Sequence, residues 1–210
     1  MTMRRVLWYF DFVSPFAYLC LTRLGELPRD VEIVYRPVLF AGLLAKFGQK
    51  GPAEIDAKRR WTYRWCQWSA DRLGVPFRFP AAHPFNPLHY LRLALATGST
   101  PNAVRAIFAA LWTGGADPAD AARFAALCRE LEVDPARLAS PEVKEELRRN
   151  TEEAAAAGVF GVPTFIAEGE LFWGADSVDF LKAFLADRSL LASGEMRRLD
   201  ALPVGAQRRS

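Results

Sequence analysis

The chain has 210 residues, of which 51% are hydrophobic and 12% aromatic, enough for the core of one large domain and too apolar for disorder. Its formal charge of +3 is local: residues 188–210 hold five Arg against Glu195 and Asp200, leaving 22 basic and 22 acidic side chains to balance in the body. A neutral body argues against nucleic acid as the main partner, since phosphate binding needs a concentrated basic face, and no apolar run reaches the length of a membrane span. Arg4 and Arg5 precede an apolar run, but Asp11 interrupts it and no clean small-residue cleavage site follows, so a soluble cytoplasmic protein is expected. Cys20, Cys66 and Cys128 form no CxxC or Cys/His spacing, and only His83 and His89 accompany them. That pattern predicts neither a disulfide framework nor a structural zinc site.

In chain order, residues 5–13 read as a buried strand rich in β-branched and aromatic residues, ended by Ser14-Pro15. Residues 15–26 follow as a helix with Phe16, Leu19, Leu24 and Leu27 on one face, and "VEIVYR" (31–36) reads as a second strand. This strand–helix–strand run predicts a βαβ unit with a right-handed crossover. The middle is helical, over 39–47, 53–73, 87–97, 101–113, 118–131 and 141–157. Four of its turns begin with a capping residue and proline: Thr100-Pro101, Asp117-Pro118, Asp134-Pro135 and Ser140-Pro141. In 53–73, Trp61, Trp65 and Trp68 share one face, which is expected to turn inward. After Gly158, "VPTFIAEGELFW" reads as two short strands, 163–167 and 170–173, about a Glu-Gly turn. A last helix has Val178, Leu181, Phe184 and Leu185 inward, and Trp173 is expected to pack its strand.

The order βαβ, helical block, ββα predicts an α/β fold: residues 1–38 and 158–187 build the sheet portion, 39–157 form a helical insertion, and 188–210 a basic C-terminal tail. Ser14 then carries two readings. As an N-cap it is a fifth copy of the cap-plus-proline device. It also opens a helix at the carboxyl end of a buried strand, where ligands bind in open α/β sheets and where helix N–H groups attract anions. Val162-Pro163 in "GVFGVPTF" sits where a cis-proline could form a tight turn facing that helix.

Taken together, "FDFVSPFAYL", "GVFGVPTF" and "FWGADSVDFL" resemble the DsbA-like thioredoxin-fold proteins that use glutathione: 2-hydroxychromene-2-carboxylate isomerases and kappa-class glutathione transferases. "RLGVPFRFP" and "HPFNPLHYLRLAL" resemble the isomerase branch more, and the likeness runs over residues 4–187. Redox members of the wider fold open this helix with CxxC. Here Ser14 and Ala17 stand at those positions, so the motif cannot run a dithiol–disulfide cycle. The resemblance implies that the thiol is glutathione, with Ser14 donating to its sulfur, and Val162 and Pro163 pairing with its backbone. It implies that Asp176 and Ser177 bind the γ-glutamyl end, although helix capping would equally account for both. It further implies a contact from Lys46 to an acidic group, with Gln49 where close relatives tend to carry Asn. His83 and Asn86 would line the pocket of a small aromatic carboxylate substrate, and a homodimer is a common assembly among such relatives. The activity implied is interconversion of 2-hydroxychromene-2-carboxylate and trans-o-hydroxybenzylidenepyruvate. A kappa-like transferase and a non-catalytic thioredoxin-fold binding module are the alternatives.

Overall fold

A computed structural model describes residues 3–206. Four strands form one mixed sheet in the order β2-β1-β3-β4. Strand β1 (Arg4–Phe10) pairs in parallel with β2 (Val31–Pro37), from Arg4 opposite Val31 to Phe10 opposite Pro37. Its other edge pairs antiparallel with β3 (Thr164–Ala167), which forms a hairpin with β4 (Glu170–Trp173). Helix α1 (Pro15–Arg23) crosses from β1 to β2.

The alternation of β1 explains the layering. Val6, Trp8 and Phe10 point into the main core, where Trp8 stacks on Phe10 at 4.4 Å and Phe12 meets Phe108 at 4.6 Å. Such pairs contribute about 0.5–1.5 kcal/mol beyond their buried area. Tyr9, on the opposite face, joins Val38, Leu43, Ala154, Val159 and Val162 in a smaller cluster. The sheet is thus covered on both faces, by α1, by the helix that follows β4 and by the helices that intervene between β2 and β3. The intervening helices are α2 (Phe40–Lys46), α3 (Asp56–Leu73), α4 (Leu88–Ala96), α5 (Pro101–Trp112), α6 (Ala121–Glu130) and α7 (Pro141–Ala156). Helix α8 (Val178–Ala186) follows β4, with the short α9 (Ser189–Ala192) and α10 (Gly194–Asp200) beyond it in the basic segment. Residues 207–210 of the expected tail lie outside the described residues. No described helix is long and apolar enough to cross a membrane, and the three cysteines are free and buried.

Several boundaries differ from expectation for identifiable reasons. Strand β1 stops at Phe10 rather than 13 because the buried Asp11 carboxylate accepts the Val13 N–H at 3.1 Å and turns the chain. Asp117-Pro118 does not open α6. Asp120 does, accepting from the N–H groups of Ala122 and Arg123, while Asp117 closes a separate turn onto Ala119. Asp134-Pro135 opens a 3₁₀ turn over Pro135–Ala139, whereas Ser140 caps α7 through the Val143 N–H.

The tryptophan face of α3 is a correction. Trp61 and Trp68 are 60% and 53% exposed, and the buried residues are Thr62, Cys66, Ser69 and Ala70. Small side chains let α3 approach α1 closely, which the indoles would prevent. Only Trp65 reaches inward, to a ring distance of 5.4 Å from Phe16.

Candidate active site

The turn between β1 and α1 is held on every side. The Asp11 backbone carbonyl accepts the Ser14 N–H at 3.1 Å, and its carboxylate accepts from Val13 at 3.1 Å and from Phe40 at 2.8 Å. The indole of Trp112 donates to the Phe12 carbonyl at 2.9 Å, and Nε2 of His83 lies 2.8 Å from the Val13 carbonyl. The end of α5 and the His83 loop therefore grip a turn that begins on the sheet. Burial pushes the Asp11 carboxyl up to about 7, against the pull of its backbone donors.

Ser14 emerges from this turn with a specific hydrogen-bond arrangement. Its Oγ accepts the Ala17 N–H at 3.2 Å, so it caps α1. The single hydroxyl proton remains free to donate, and it faces the Val162 carbonyl at 3.4 Å, a long and weak bond. Capping and donation outward are therefore compatible. The Val162–Pro163 peptide is cis, as is His83–Pro84. Thr164 fixes the approach to Val162 by donating from Oγ1 to the Gly161 carbonyl at 2.7 Å. The Val162 N–H has no backbone acceptor among the described residues, and its carbonyl is met only by the long Ser14 contact.

Ser14, Val162 and His83 line one cavity of about 550 Å³, within the range of small-molecule sites. Its apolar wall includes Phe16, Phe40, Phe85 and Phe160, and Lys50 and Lys58 stand at its edge. Trp173 also lines it, 54% exposed with its ring 5.0 Å from Phe160, which corrects the expectation that it only packs its strand. Pro163 lies beside the cavity, directly after Val162. Asp176 is exposed and Ser177 buried next to it. Ser177 stands at the N-cap of α8 without a side-chain bond to it and donates to the Gly174 carbonyl at 2.8 Å instead, so the capping alternative does not hold. Gly174 has φ 97°, and a side chain there would collide with the Asp176 carboxylate.

Neither Asp176 nor Ser177 is among the residues that line the cavity, and Lys46 and Asn86 are placed elsewhere. Lys46 ends α2 on the side facing α4 and α7, in a separate groove with Arg92 and Lys144, because the Gly48 turn carries the chain over before Gln49 and Lys50 reach the Ser14 cavity. Asn86 is exposed and its Oδ1 accepts the Leu88 N–H at 3.0 Å, an Asx turn leading into α4. The sequence reading missed Asp11, Trp112 and Tyr63. Asp11 left a signal, a lone carboxylate inside an apolar run. The Tyr63 hydroxyl lies 2.6 Å from Nδ1 of His83 on the cavity wall.

The DSBA-like thioredoxin domain matches residues 5–186. The chain belongs to that family. It is 30% identical over 189 residues to the 2-hydroxychromene-2-carboxylate isomerase of Sphingobium xenophagum, covering 86% of this chain and 97% of that protein. It is 28% identical over 207 residues to glutathione S-transferase kappa 2 of Caenorhabditis elegans, covering 87% and 92%. The solved selenomethionine structure of a 2-hydroxychromene-2-carboxylate isomerase superposes with a TM-score of 0.76 at 25% identity, over 95% of this chain and all of that one. These family relatives are enzymes of isomerase or glutathione-transferase type by name, which weighs against a non-catalytic module.

Proposed function

We propose that the protein is a glutathione-dependent isomerase acting on 2-hydroxychromene-2-carboxylate, trans-o-hydroxybenzylidenepyruvate or a similar aromatic carboxylate. The observation that carries this reading is the Ser14 hydroxyl on the cavity lining, whose oxygen accepts from Ala17 while its proton has only a long contact to the Val162 carbonyl. The residues present suit glutathione. Val162 offers an N–H and a C=O to an extended peptide, the exposed Asp176 carboxylate suits an ammonium, and the start of α1 suits a negative sulfur.

The magnitudes are sufficient. A free thiol with pKa about 8.5 is roughly 3% thiolate at pH 7. Lowering that pKa by about two units needs about 2.7 kcal/mol. A hydrogen bond to a charged group contributes about 1.5–3 kcal/mol, and the helix terminus about 0.3–1 kcal/mol. Bound glutathione supplies a thiolate that adds reversibly to the conjugated side chain, lets a former double bond rotate, and leaves unchanged. The chain's residues hold that thiolate at Ser14, offer Lys50 or Lys58 to the substrate carboxylate, and exclude water with the aromatic wall.

The test is the thiolate ultraviolet absorbance of bound glutathione, titrated in wild type and in Ser14→Ala. We expect a thiol pKa well below the free value in wild type and a rise of one to two units, about 1.4–2.7 kcal/mol, in the variant. No binding, or an unshifted pKa in both proteins, would remove the reading. A transferase would instead consume thiol in proportion to substrate, whereas an isomerase returns it.

A further inference from the structure

Tyr63 projects from α3, whose Trp61 and Trp68 are exposed, and it lines the cavity that holds Ser14. It lies 2.6 Å from Nδ1 of His83 and 2.8 Å from the His83 carbonyl. The ring is fixed by Phe79, whose centroid is 4.3 Å away. His83 is held in turn, with Nε2 2.8 Å from the Val13 carbonyl and its ring 5.6 Å from Trp112.

The proton positions follow from this network. A carbonyl can only accept, so Nε2 carries the imidazole hydrogen and Nδ1 presents a lone pair. The single Tyr63 proton therefore lies between two acceptors, Nδ1 and the His83 carbonyl, and its oxygen, on a residue that lines the cavity, keeps lone pairs with which to accept. Burial holds His83 below the ordinary histidine range, so the imidazole is neutral at neutral pH.

From this geometry we infer that Tyr63 is a catalytic residue that relays a proton during opening and closing of the chromene ring, with His83 as its positioning residue. This inference rests on the isomerase reading of the site and adds the proton transfers that the thiolate does not perform. In ring opening, the C2 hydroxyl gives its proton to the Tyr63 oxygen as the Tyr63 proton passes to Nδ1 of His83. The C2–O1 bond breaks, its electron pair goes to the ring oxygen, and C2 becomes a carbonyl. The ring oxygen then takes a proton from Tyr63, which recovers its own from Nδ1. One proton has moved from the C2 oxygen to the ring oxygen, nothing is oxidised or reduced, and closure is the reverse. The His83 cation formed in between is stabilised by the Val13 carbonyl, the same turn that carries Ser14.

The experiment compares wild type and Tyr63→Phe, which keeps the packing against Phe79. Turnover of trans-o-hydroxybenzylidenepyruvate with glutathione is expected to fall about 10²–10⁴-fold, the usual worth of a positioned acid–base group, while thiolate absorbance of bound glutathione stays unchanged. In wild type the rate should fall as acid protonates His83, and the residual rate of Tyr63→Phe should lack that limb. In the ligand-free wild type, imidazole ¹⁵N spectra should show His83 as the Nε2–H tautomer with a hydrogen-bonded Nδ1, a readout independent of turnover and of the variant's folding. Wild-type turnover kept by Tyr63→Phe, or an Nδ1–H tautomer, would overturn the inference alone. Wild type that neither binds glutathione nor turns over would overturn the isomerase reading and this inference with it.

Discussion

Replacing Asp11 by Asn tests the most buried ionisable group beside the site. Asp11 is fully buried, and its carboxyl is raised to about 7, chiefly by desolvation. The unfolded chain releases this proton near pH 3.9. Between about pH 4 and pH 7 the native state therefore holds a proton that the unfolded state has lost, and stability falls as pH rises through that window. A difference of about three units corresponds to about 4 kcal/mol. Asn removes this dependence at a fixed cost: its oxygen can accept from Val13 or from Phe40, and the other N–H faces an amide donor. One unpaired N–H costs about 1–3 kcal/mol. Urea unfolding at about pH 4.5 and pH 7.5 gives each protein's change in stability, and subtracting the two cancels the histidines that both share. Wild type is expected to lose about 3–4 kcal/mol more than Asp11→Asn across the window. Parallel profiles would show that Asp11 is ionised in the folded protein throughout, and would refute the assignment of desolvation as the dominant cause.

Two further outcomes follow from the loops facing Ser14. Thr164→Val keeps the shape of a fully enclosed side chain but leaves the Gly161 carbonyl without its donor, so thermal unfolding should report a loss of about 1–3 kcal/mol and calorimetry a weaker affinity for glutathione. Asp176→Asn removes one exposed charge, and should weaken glutathione binding by about 1.4- to 5-fold, the worth of a solvent-facing ion pair of about 0.2–1 kcal/mol. Its thiolate absorbance should titrate as in wild type, because the proposed contact is to the γ-glutamyl end, one residue away from the cysteine sulfur.

The sheet and its flanking motifs were readable from local pattern, since β1 is a continuous apolar run and Ser14 a cap before proline. The chain order βαβ…ββα and the place of Val162 before a cis-proline followed from the same stretches. What pattern could not supply were contacts set by distant pairing. Trp112 reaches the Phe12 carbonyl across 100 positions, and nothing local to α5 distinguishes its indole from any other core aromatic. Asp11 looked like an interruption because a carboxylate inside an apolar run is ordinarily solvated; its partners are backbone N–H groups, one of them 29 positions away. Tyr63 was masked by the three tryptophans of α3, whose size suggested an inward face that the small residues Thr62, Cys66, Ser69 and Ala70 occupy instead. Lys46 was misplaced by a single glycine turn, which swaps the side of α2 that each following lysine addresses.

The cavity has two banks of different origin. Val13 to Phe16 and Phe160 to Val162 come from the ends of the sheet, whereas Phe40, Lys58, Tyr63 and Phe85 come from the helical segment between β2 and β3. His83, Trp112 and the Phe40 N–H tie the second bank to the turn of the first. Under the proposed function, changes along the helical bank would reshape which substrate fits while the bank that carries Ser14 stays as it is, so that the compound transformed could change without a change in how the thiol is held.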